Sequence, residues 1–174
     1  MINLSTAQLL TRYKRWADQT FFASLATLAP EELDRQRVGP MKTMMATLNH
    51  MYVVDRIWQA HLLGREHGFT SRQAMPYPEL AELWRAQQEV NDWYVDWAAG
   101  QTEGALAKPI DFAFVSGNRG TMTAGAMLLH VVNHGSYHRG WLVQIYFEIP
   151  AMPPMTDLSV YLTEASPEPL ASNC

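Results

Sequence analysis

Apolar side chains recur every three or four positions through most of the chain, and the runs break at proline and glycine. From about residue 2 to 28, Leu4, Leu9, Leu10, Tyr13, Trp16, Ala17, Phe21, Leu25 and Leu28 keep that period. Residues so spaced share one helical face, so an amphipathic helix is predicted, which Ser5 can open and Pro30 stops. The charged stretch EELDRQRVGP, 31–40, reads as a loop. A second helix is predicted over about 41–63, MKTMMATLNHMYVVDRIWQAHLL, ended by Gly64. A third begins around Tyr77, where Pro76 and Pro78 suit a first turn, and stops at Gly100. Its aromatic residues Trp84, Trp93, Tyr94 and Trp97 fit a core or a pocket wall equally well.

Between 108 and 123 the period changes. KPIDFAFVSGNRGTMT alternates apolar and polar residues on both sides of the turn-prone SGNRG, which predicts a small β-hairpin. A fourth helix follows over about 122–148 and ends before Pro150, and TDLSVYL adds one or two helical turns. One domain over 1–163 is expected, with 164–174, EASPEPLASNC, as a flexible tail. Four long amphipathic helices, with no strand long enough to organise a sheet, predict an all-α fold: a four-helix bundle with a hairpin before the last long helix. The long connections at 31–40 and 100–121 leave the order of the helices open.

Composition narrows the function classes. A chain of 174 residues, 48% apolar and 17% charged, can bury about 70% of its unfolded surface without help from disulfides or metals. A formal net charge of −4 gives no general attraction to nucleic acid or to anionic lipid. The start, MINLSTAQLLTRYKRW, lacks the pattern of a signal peptide, and no segment approaches the roughly 18 apolar residues of a membrane span. The one cysteine, Cys174, is the last residue and supports neither a disulfide framework nor a thiolate metal site. A cytoplasmic protein is expected, bound to neither nucleic acid nor membrane.

The fourth helix carries HVVNHGSYHRGW, with histidines at 130, 134 and 138. Positions four apart differ by about 40° of rotation and roughly 6 Å of rise, so two adjacent imidazoles can reach one ion. All three cannot easily do so from one straight helix, because His130 and His138 are about 12 Å apart along its axis. Another ligand would come from elsewhere, and His50, in the middle of the apolar LNHMYVV, is the best candidate. His61 lies roughly 16 Å further along that helix and cannot share an ion with His50; His67 falls in the loop beyond Gly64. A single HxxxH pair is weak evidence, and a lone mid-helix histidine is more often a satisfied core or surface residue. The regular spacing, the fourth histidine and the absence of competing cysteines favour a metal site. The HExxH pattern of zinc proteases is absent, since Gly135 follows His134. A reading without metal places the three histidines on a polar stripe at a dimer interface, where Gly125, Ala126, Gly135 and Gly140 permit close helix approach.

Three segments, LNHMYVVDRIW, HVVNHGSYHRG and PPMTDLSVYL, together resemble the DinB family, the DinB/YfiT-like metalloenzymes, over nearly the whole chain. The resemblance implies an up-down-down-up bundle, often dimeric, with one divalent metal held by His50, His134 and His138, and His130 as a residue supporting them or lining the pocket. The family commonly continues the motif as HRGQ, whereas here Trp141 follows Gly140. Asp157 and Tyr161 match the family's closing pattern, for which a structural role is expected. Three neutral imidazoles leave an ion an open position, as in catalytic rather than closed sites. Imidazole suits zinc and nickel first, with iron and manganese as alternatives. The expected partners are a small-molecule substrate, with a low-molecular-weight thiol as one candidate, and a second copy of the chain. A thiol-dependent S-transferase, a metal-water hydrolase and a non-catalytic metal-binding dimer are the competing functions. No general base is evident: Asp55, Tyr137 and Arg139 read as structural or solvent-facing.

Overall fold

A computed structural model describes residues 2–166. Helix α1 (Leu4–Leu25) is opened by Asn3, whose side chain accepts a hydrogen bond from the Thr6 amide, so the cap lies two residues before the expected Ser5. Pro30 does more than stop this helix: it sits at the start of a short helix α2 (Pro30–Asp34), where its fixed φ is favourable and its missing N–H is not needed. The expected loop 31–40 is therefore helical in its first part. Helix α3 (Met44–Leu62) is capped by Thr43.

Helix α4 (Leu80–Ala99) begins three residues after the expected Tyr77. A residue before proline is biased toward extended backbone, and Tyr77 precedes Pro78. The fully buried Asn49 then fixes Tyr77 on α3: its amide donates to the Tyr77 and Met45 carbonyls at 2.8 and 3.0 Å, and its oxygen accepts from the Tyr77 amide at 3.1 Å. A short helix α5 (Glu103–Leu106), capped by Thr102 and not anticipated from the sequence, leads into the hairpin.

Strands β1 (Pro109–Ala113) and β2 (Arg119–Thr123) pair antiparallel, with Phe112 opposite Gly120. A Cβ on Gly120 would lie 2.8 Å from the Phe112 ring, so the small residue is what lets that ring fold across the partner strand. Phe112 packs edge-on against Trp58, with ring centroids 5.0 Å apart, and docks the hairpin on the end of α3. Helix α6 (Ala124–Tyr146) follows at once, capped by Thr123. Helix α7 (Leu158–Val160) runs into one π-helical turn, Tyr161–Ala165. Tyr161 is buried against Tyr13 and Trp16. Of the expected tail, residues 167–174 lie outside the described residues.

Side-chain pairs fix the helix order. Ser24 and Tyr146 meet at the C-terminal ends of α1 and α6, so those helices are parallel. Phe22 stacks on Trp84, and Glu103 just beyond α4 accepts from the Leu4 amide, so α1 and α4 run oppositely. Trp58 near the end of α3 faces His130 near the start of α6, which makes that pair antiparallel as well. The four long helices therefore run up-down-down-up, with α3 against α6 and α1 against α4. None is long and apolar enough to cross a membrane.

Three of the four α4 aromatic residues stay on the periphery of the core: Trp84 stacks on Phe22, and Trp93 stacks on Trp97. Tyr94 is fully buried and donates to the Asp55 carbonyl.

Candidate metal centre

The antiparallel pairing of α3 and α6 brings His50 opposite His134 and His138. Ring centroids are 5.0 Å apart for His50 and His134, 4.6 Å for His50 and His138, and 4.4 Å for His134 and His138. One nitrogen from each ring falls in a cluster whose members lie within 4.8 Å of one another. The Nε2 atoms of His50 and His134 are 3.2 Å apart. Two imidazoles each about 2.0–2.1 Å from a shared tetrahedral ion would hold their nitrogens at about 3.3 Å, so the spacing fits such an ion.

His50 donates through Nδ1 to the Arg72 carbonyl at 2.8 Å, which turns its Nε2 lone pair toward the other two rings. A hydrogen bond from the remote nitrogen to a main-chain oxygen is how metal-binding histidines are commonly oriented. The Nδ1 atoms of His134 and His138 are buried and have no hydrogen-bond partner among the described residues. On His134 the Nε2 atom faces His50, so its Nδ1 is the remote nitrogen and lacks the main-chain anchor that His50 has.

Burial keeps the rings neutral. It pushes His134 down to about 2, with the neighbouring histidines and Lys14 adding to the effect, and His138 down to about 4, with His50 adding. His50 is lowered as well, by burial ahead of the opposing bond to Arg72. These folded values lie below the ordinary 6.5, so below that pH the unfolded chain takes up more protons than the folded one. The metal-free protein is therefore expected to lose stability as pH falls from about 6.5 toward 4. Thermal unfolding across that window checks this, and the decline should be shallower in His134→Gln.

His130 sits one turn away, half-buried, with its ring 4.8 Å from Trp58 and 5.7 Å from His134. It lies outside the three-histidine cluster. His61 and His67 face each other at 5.5 Å in an adjoining depression. Trp141, where the family commonly has glutamine, packs edge-on against His138 at 4.9 Å and backs that ring with an aromatic wall.

Beneath the histidines lies a buried ionic cluster that the sequence did not announce. Lys14 donates to Asp18, Asp55 and Asn91 at 2.7, 2.6 and 2.8 Å, while Arg139 donates to Asp18 at 2.8 Å. Gln87 adds a bond to Asp55 at 2.8 Å. Burial opposes the charge on Lys14, but Asp18 and Asp55 outweigh it and raise its pKa. Burial likewise opposes ionised Asp18, but Lys14 and Arg139 reverse the balance and hold its carboxyl below the usual range. Asp55 goes the other way, because burial exceeds the pull of Lys14. Gly135 makes room for the cluster: a Cβ there would lie 3.2 Å from Arg139 Nη1 and 3.7 Å from Lys14 Cε. Asp55 and Arg139 are thus structural and buried, and Tyr137 is the exposed one of the three.

Parts of the dimer-stripe surface are turned inward in this chain. His50 and His138 are buried within a single chain, and Gly135 faces the ionic cluster. Gly125 approaches Leu106 and Ile2 of the same chain.

A bundle of up-down-down-up order with imidazoles converging from its second and fourth long helices defines a helical protein with three histidines placed to hold a metal ion. The chain belongs to the DinB family, which it matches over residues 1–169. It is 27% identical over 159 residues to Protein DinB of Bacillus subtilis (strain 168), covering 88% of this chain and 91% of that one. Its fold is similar to the crystal structure of a DinB-like protein from Bacillus cereus ATCC 10987, with a TM-score of 0.62 at 18% identity, over 80% of this chain and 90% of that one.

Proposed function

We propose that this DinB-family protein is a metal-dependent enzyme, and that its reaction is the transfer of a thiol sulfur to an electrophilic carbon. The observation that carries the reading is the opening above the histidines. His50, His134 and His138 form part of the wall of a cavity of about 700 Å³, together with Met41, Phe114, Val115 and Tyr137 and the polar residues of 70–73 and Ser116. No fourth histidine, cysteine or carboxylate joins the three among the described residues, so an ion there would keep a position facing the cavity.

When bound, the ion would supply a Lewis-acidic centre that lowers the pKa of a coordinating thiol or water. Zinc and nickel suit the all-nitrogen set best, with iron and manganese as alternatives. The chain's own residues orient His50, keep the three rings neutral, and provide Met41, Phe114 and Val115 as apolar surface for the electrophile. In the transfer, the thiol gives its proton to solvent, its sulfur forms a bond to the electrophilic carbon, and the leaving group departs with the electron pair of the bond that breaks. Hydrolysis is the second reading, but among the described residues the cavity wall holds no carboxylate to act as a general base toward water. A cytoplasmic homodimer completes the proposal, and light scattering in solution tests the assembly state.

The test is turnover by tag-free protein loaded with zinc or nickel, offered activated alkyl and aryl electrophiles with and without low-molecular-weight thiols. Product that forms only with both metal and thiol supports the transferase. Cleavage of esters or amides without thiol would favour the hydrolase, and metal binding with neither activity would leave a binding protein.

A further inference from the structure

We infer that the cavity over the three histidines selects a ligand bearing a carboxylate, and that Arg72 is the residue that selects it. This deepens the proposed function and rests on its metal-centred reading. Among the described residues lining that cavity, Arg72 is the one with a permanent charge. No acidic residue lines the cavity, and no carboxylate pairs with Arg72 among the described residues. The adjoining depression is different: Arg65 and Arg119 there share the wall with Glu66 and Asp111. An unbalanced cation beside the histidines is therefore a local feature of a chain whose formal net charge is −4.

The Arg72 carbonyl is the atom that accepts from His50 Nδ1 at 2.8 Å. The hydrogen bond ties the backbone of residue 72 to one of the three rings, so the base of the side chain stands at the rim of the ion seat. A guanidinium presents a planar fork of donors that matches a carboxylate in two-point contact. Thr70, Ser71 and Gln73 beside it offer further polar contacts along the same wall. A molecule with its sulfur at the histidines and a carboxylate a few bonds away would meet both features at once. Because Arg72 is exposed, water competes for it, and the selectivity expected is modest.

The test uses the full chain loaded with cobalt(II) in place of the native ion, and two small thiols that differ in carrying a carboxylate: mercaptopropionate and mercaptoethanol. Binding is read from the near-ultraviolet thiolate-to-cobalt charge-transfer band, independently of any turnover. Mercaptopropionate is expected to gain about fivefold in affinity from Arg72, so Arg72→Gln weakens it by that factor and leaves mercaptoethanol unchanged. Arg72→Gln keeps the main-chain carbonyl that holds His50, and Arg72→Lys should retain part of the preference. If cobalt binds but the ratio of the two affinities is the same in wild type and Arg72→Gln, or neither thiol changes the spectrum, the inference is overturned while the metal centre stands. If cobalt gives no site-bound spectrum at all, the metal reading falls and takes the inference with it.

Discussion

Tag-free protein in which His138 is replaced by alanine is expected to retain no tightly bound divalent metal, where the unaltered chain holds about one ion. The reason is geometric. The cluster offers three nitrogens, and no other histidine, cysteine or carboxylate stands ready to replace a lost one among the described residues. Losing a group that merely orients a ligand commonly costs 10–100-fold in affinity, so losing a ligand should cost more than about 100-fold. His50→Ala should behave the same way, because that ring alone bridges from α3 to the pair on α6. His130→Ala is the matched control: its ring leans on Trp58 and His134 but contributes no nitrogen to the cluster. Elemental mass spectrometry on the variants reads the result directly. Full metal retention in His138→Ala, or loss in His130→Ala with retention in His138→Ala, would assign the site to other residues.

Lys14→Met is expected to be the most destabilising change away from the histidines. It removes the ammonium that holds Asp18 and Asp55 together and leaves Asp55 with Gln87 as its main polar support. Both carboxylates are almost wholly buried, at 1% exposure each. Breaking a buried pair by deleting one partner costs about 3–5 kcal/mol, and in a domain of this size that lowers the melting temperature by on the order of 10 °C. The companion variant Lys14→Met with Asp55→Asn removes the stranded charge too. It should recover part of the loss, because an unpaired buried charge, and not the missing packing, is the larger component. Urea unfolding of the two single variants and the pair gives the coupling energy. A loss under about 1 kcal/mol for Lys14→Met, or strictly additive effects, would show that the cluster contributes little.

How far the sequence carried can be seen at particular residues. The apolar period located all four long helices, and the change of period at KPIDFAFV located the hairpin. Spacing alone also showed that His134 and His138 could share an ion. It did not choose among partners: His50 and His61 sit on the same helix, and which faces α6 at the right height depends on how two helices slide past each other. The place of His50 in the middle of an apolar run favoured it, and the family resemblance pointed to the same residue. Period gives the face a residue occupies but not its depth, so the spacing of Lys14 and Asp18 carried no sign of their burial. Their burial follows from Gly135 and from the approach of α1, α3, α4 and α6 at one level. Asn49 left a faint signal, a second polar residue beside His50 in an apolar run. The anchor of His50 left none, since it is a main-chain oxygen at position 72 that any residue would possess.

The cavity wall is divided in a way that separates two kinds of change. The histidines stand on α3 and α6, whereas Met41, residues 70–73 and residues 114–116 belong to connecting segments. Substitutions in the helices disturb packing that the whole bundle shares, so the ion seat is costly to alter. Substitutions in the connections alter shape and charge over the ion with little effect on the scaffold. Descendants of such a framework can exchange substrates by editing three short stretches while inheriting the same coordination chemistry, and a library confined to those stretches is the economical route to a new specificity.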